Sequence, residues 1–182
     1  MDFRSPATFH PPLFIFQADD ASYLVEELPL LTHLTLLGGQ QGSLYGGRLD
    51  LQSESLEVID ISTSAKQLTF ERLDCPSLRE LRCSEMSGYG NGVIPRDPTG
   101  DSGTWWYRQE RPGPGVCDQP CKFTAQMPFR ATDQQPGSLP IDLPEQCVVY
   151  WSGAGFGPRR GSEIRATSTT TYGELYDQCC GD

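Results

Sequence analysis

The sequence predicts an α/β protein: a short solenoid with parallel strands, followed by an irregular β-rich C-terminal region. Three observations predict it. One apolar phrase is written three times, as Leu31-x-x-Leu34-x-Leu36, Leu56-x-x-Ile59-x-Ile61 and Leu78-x-x-Leu81-x-Cys83, with starts 25 and 22 residues apart. Sixteen of the nineteen leucines lie in residues 1–85. Glycine and proline run the other way, with 14 Gly and 10 Pro in residues 86–182. Leucine fills cores and Gly/Pro punctuates turns. The chain therefore divides into a repeat unit over residues 1–86 and a Gly/Pro-rich extension of strands and loops over residues 87–182, packed on the last coil.

The elements follow in order. Pro6, Pro11 and Pro12 mark an irregular lead-in, and Leu13, Phe14, Ile15 and Phe16 form a strand-like apolar run. Phe16 lies 20 residues before Leu36, which suits a degenerate first strand at the end of the stack. Asp19, Asp20, Ala21 and Ser22 supply capping residues for a helix over residues 23–28, which Pro29 stops. Five glycines between residues 38 and 55 argue against a helix there, so the segment is extended or turn-like, with Leu49 and Leu51 as its inward anchors. The shorter segment 63–77 is expected to hold one helical turn around Leu68, Phe70 and Leu73. In the second half, strands are expected over residues 104–108, 121–127, 147–151 and 163–172, with a turn at residues 112–115.

Strand side chains alternate between faces. Leu34/Leu36, Ile59/Ile61 and Leu81/Cys83 therefore point inward and stack, making a core that no single repeat could bury. The same alternation turns His33, Thr35 and Leu37 outward beside Val58, Asp60 and Ser62, and those beside Glu80, Arg82 and Ser84. In that register Asp60 and Arg82 are lateral neighbours suited to pairing.

The phrase and its spacing make residues 28–86 resemble the leucine-rich repeat superfamily, in a degenerate form. The resemblance implies a solenoid that binds another protein on its concave strand face. It implies a partner-binding set of His33, Thr35, Leu37, Val58, Asp60, Ser62, Glu80, Arg82 and Ser84. The family usually carries Asn or Cys three residues after the last core position, tying the turn's backbone between coils. This chain has Gly39, Ser64 and Met86 there, so irregular turns are expected.

Bulk chemistry narrows the function classes. The net charge of −10, from 24 acidic and 14 basic residues, opposes nucleic-acid binding, which requires a basic footprint. No apolar run approaches the roughly 18 residues of a membrane span. The N-terminus lacks the plan of a secretory signal, so a cytoplasmic location is expected. Seven cysteines cannot all pair internally, and most are read as free thiols.

Catalytic and metal chemistry have thin support. Cys117 and Cys121 form a C-x3-C pair, with Cys147, Cys179 and Cys180 downstream. Zinc prefers two close ligand pairs, and a vicinal pair seldom gives both sulfurs to one ion. Gly153, Gly155 and Gly157 follow an apolar run, but Pro158 stands where a dinucleotide fingerprint requires glycine. Arg159 and Arg160 read as a solvated turn. His33 with Asp60 or Glu80, and Ser62 or Ser84 nearby, contains the residue types of a hydrolytic triad. An open strand face does not desolvate a nucleophile, so no catalytic residues and no cofactor are expected. The expected function is non-enzymatic protein–protein interaction. The alternative is a metal- or thiol-dependent module in residues 87–182 with the repeats as scaffold.

Overall fold

The apolar phrases become strands of one sheet. The computed structural model describes residues 7–9, 18–37, 47–62, 68–84, 93–95, 111–126, 138–152 and 163–180. Its elements are β1 (Ala7–Phe9), α1 (Ala18–Glu27), β2 (Leu31–Leu37), β3 (Gly47–Gln52), β4 (Val58–Ser62), β5 (Leu68–Asp74), β6 (Glu80–Ser84), β7 (Val93–Pro95), β8 (Phe123–Gln126), β9 (Ser138–Ile141), β10 (Val148–Ser152), β11 (Ile164–Ala166) and α2 (Tyr172–Cys180). A six-stranded sheet has the order β1-β2-β4-β6-β10-β11; its first five strands run parallel and β11 pairs antiparallel with β10. The class is α/β with a mostly parallel sheet.

Register explains the burial. Leu34 pairs with Ile59, Ile59 with Leu81, and Leu81 with Val149; Leu36, Ile61, Cys83 and Trp151 form a second row. These side chains are all buried, as are Leu31, Leu56 and Leu78 at the head of each phrase. Between successive strands of the large sheet the chain crosses to a two-stranded parallel sheet, β3–β5, which supplies buried Leu49, Leu51 and Phe70 to the same core. The inward role expected of Leu49 and Leu51 holds.

Segment 63–77 departs from expectation: residues 68–74 form strand β5, not a helical turn. The register explains why the sequence looked helical. Leu49 faces Phe70 but Asp50 faces Arg72, so Glu71 is an extra residue on β5. A bulge of this kind resets the alternation, and Phe70 and Leu73 pack with the core three positions apart. Three is a helical spacing. Outside, Arg72 Nε and Nη2 fork onto Asp50 Oδ1 and Oδ2 at 2.6 and 3.0 Å.

Helix α1 begins earlier than predicted, with Asp20 inside it, and the chain turns through Pro29 after Leu28 N donates to Leu24 O. Ala21 and Val25, one turn apart, are buried, and α1 lies along β3, where Ser22 Oγ accepts from Asp50 N at 3.0 Å. The helix thus covers an edge that would otherwise offer unpaired backbone. The strand before α1 is Ala7–Phe9, and Phe9 pairs with Leu34. Residues 13–16, Gly39, Ser64, Met86 and residues 104–108 lie outside the described residues.

A repeated fastening precedes β2, β6 and β10. Leu31 N, Leu78 N and Cys147 N each donate to the carbonyl three residues back, on Leu28, Cys75 and Pro144. The residues just ahead of Leu56, Leu78 and Cys147 then reach the chain at the head of the neighbouring strand. Ser55 Oγ lies 2.8 Å from Pro29 O and 2.9 Å from Leu31 O, Ser77 Oγ donates to Glu54 O at 2.6 Å, and Gln146 Nε2 donates to Pro76 O at 2.8 Å.

The two compositional regimes share one core. Strand β10, 68 residues beyond the equivalent of Leu81, takes the edge of β6, and the small antiparallel sheet β7-β8-β9 comes from the intervening chain. Trp151 joins them: its ring stacks on Phe123 with centroids 6.0 Å apart, and its Nε1 donates to Val93 O at 2.8 Å. The expected strand over 163–172 is overturned after Ala166. Residues 167–170 turn, and Thr171 starts α2 by a capping box. Thr171 N donates to Glu174 Oε2 at 2.8 Å, and Glu174 N donates to Thr171 Oγ1 at 3.3 Å. β-Branched threonine favours strand, but its hydroxyl serves a helix start here.

Replacing Leu81, fully buried at the centre of its row, with alanine should cost about 2–5 kcal/mol in urea unfolding. Trp151→Phe should cost about 1–3 kcal/mol by leaving the Val93 carbonyl unpaired. Hydrogen bonds from the Thr171 backbone and hydroxyl hold the Glu174 carboxyl below its ordinary range. Its contribution is therefore present above the ordinary carboxylate range and lost as pH falls through the lowered value. Melting temperature followed against pH should fall less steeply on the acid side for Glu174→Gln than for the native chain.

Candidate functional site

The residues between the buried ones lie on the opposite face of the large sheet, and the register assembles them into rows. His33, Val58 and Glu80 make one, Thr35, Asp60 and Arg82 the next, and Leu37, Ser62 and Ser84 the third. The first two rows have half-buried side chains throughout; for Leu37, Ser62 and Ser84 the backbone placement alone is described. The nine residues named from sequence thus occupy adjacent positions on one surface.

The rows continue past β6. Val148, Tyr150 and Ser152 of β10 pair with Glu80, Arg82 and Ser84, and Arg165 of β11 pairs with Tyr150. Sequence reasoning missed these four as surface residues because β10 carries no leucine phrase. The signal was the alternation itself: Val149 and Trp151 are buried, whereas Val148, Tyr150 and Ser152 are half-buried.

The row through Arg82 carries the most defined chemistry. Arg82 Nε and Nη2 donate to Glu80 Oε2 at 2.9 and 2.7 Å, and its guanidinium carbon lies 4.7 Å from the Tyr150 ring centre. The hydrogen bond it donates to Glu80, two residues back on the same strand, is the main cause of the raised guanidinium pKa. Arg82 is thereby a fixed planar cation on an aromatic ring. Arg165 at the rim approaches Glu163 at 3.7 Å.

His33 does not stand beside a carboxylate in its row. Val58 is its lateral partner, and Glu80 lies one strand further, about 10 Å away at Cα by sheet spacing. Its Nδ1 meets Thr32 Oγ1 at 2.9 Å.

The described thiols, Cys75, Cys83, Cys117, Cys121 and Cys147, are set apart from this face. Burial pushes Cys75 up to about 11 and Cys83, Cys121 and Cys147 up to about 12. Cys117 is half-buried and its Sγ donates to Pro112 O at 3.0 Å. Among the described residues, no three His, Cys, Asp or Glu side chains converge as a metal site requires. A buried neutral thiol is a poor nucleophile and behaves as a small apolar residue.

Alkylation of the folded chain near neutral pH, mapped by mass spectrometry, should label Cys117 before Cys75, Cys83, Cys121 and Cys147. Raising the pH to the ordinary thiol range near 9.0 should leave that order unchanged. The four buried thiols, Cys75, Cys83, Cys121 and Cys147, stay neutral in the folded chain, so their support for folding is complete below about 9.0 and fades as pH climbs toward about 11 to 12.

Compared with protein-family models, curated proteins and solved structures, the chain matches none of them.

Proposed function

We propose that this chain is a non-enzymatic interaction module that binds another protein on the outward face of its large sheet, and that its three phrases belong to coils of a short leucine-rich-repeat-like solenoid. The observation that carries the reading is the register: residues from β2, β4 and β6 lie side by side in rows on one face, alternating with a buried ladder on the other. The leading turns lend support to the coil reading. Ser55, Ser77 and Gln146 hold equivalent positions and each ties its coil to the one before. Such turns satisfy backbone carbonyls between coils, which is the task that the superfamily gives to residues on the other side of the strand.

The face suits a protein partner by its mixture. It offers Val58 and Val148 for apolar contact, Thr35 and Ser152 for hydrogen bonds, and Arg82 held rigid on Tyr150. Arginine and tyrosine carry much of the energy at protein interfaces, and preorganised side chains lose little entropy on binding. The net charge of −10 and the paired state of Arg82 leave nucleic acid an unsuitable partner. The location that agrees with this reading is cytoplasmic; among the described residues, no helix is long and apolar enough to cross a membrane.

The test uses the double substitution Asp60→Arg with Arg82→Glu, beside Thr35→Arg, which adds bulk without disturbing the Glu80 pair. Both should remove the same partners from affinity captures quantified by mass spectrometry, with melting temperatures within a few degrees of the parent. Asp50→Ala with Arg72→Ala, on the opposite sheet, should keep them. Capture profiles unchanged by both outward-face variants would end the proposal.

A further inference from the structure

We draw no further inference here: the strongest candidate, the side-chain cluster of Arg82, Tyr150 and Arg165 across β6, β10 and β11, belongs to the sheet face already described, and because Glu80 lies 2.7 Å from Arg82 and Glu163 lies 3.7 Å from Arg165, its charge is matched from within and nothing in the structure shows what covers it.

Discussion

The structure rests on the parallel register that stacks Leu34, Ile59, Leu81 and Val149. Each of these strands is five to seven residues long and could not bury its own apolar side chains. Side by side, they cover one another, and burial of each such side chain contributes about 1.5–3 kcal/mol. A slip of one residue would turn the whole row to solvent. The outward rows are therefore a consequence of the core: any register that buries Leu34 beside Ile59 also sets Thr35 beside Asp60.

Fastenings outside the ladder decide how the rest of the chain is attached. The bulge at Glu71 lets β5 present Phe70 and Leu73 to the core while keeping Arg72 on Asp50 outside. Trp151 belongs to the large sheet through its backbone and to β7–β9 through its ring and indole nitrogen. At the start of α2, Gly173 N donates to Cys117 O at 3.0 Å, and a Cβ at Gly173 would come within 3.2 Å of Cys117 Cβ and its carbonyl oxygen. A side chain there would have to push the Cys117 turn away by a few tenths of an ångström. The close approach seats α2 on the turn that carries Cys117, and places Cys117 in a packing role.

These arrangements put chemistry and structure in different places. Of the cysteines that invite a metal or redox reading, Cys121 and Cys147 are interior, where burial keeps the thiol protonated. The surface holds arginine, tyrosine and carboxylates at spacings set by the sheet. On the sheet face Arg82 is already held by its neighbours Glu80 and Tyr150.

Local periodicity was legible in the chain. Three phrases with the same apolar spacing located β2, β4 and β6 and assigned each residue to a face, because a strand's two-residue alternation is written directly in its side chains. The rest needed tertiary structure. Phe70 and Leu73 carry a helical interval because a bulge consumes one residue, and a bulge depends on the partner strand. The threonine run reads as strand until the Thr171 and Glu174 side chains close on each other; the T-x-x-E spacing was its only written trace. Strand β10 carries no leucine phrase, and nothing in its own residues specifies a partner 68 positions earlier. Alternation dictates which face a residue takes, but the neighbour across the sheet is chosen by which long-range pairing buries the most apolar surface, and that choice belongs to the folded chain as a whole.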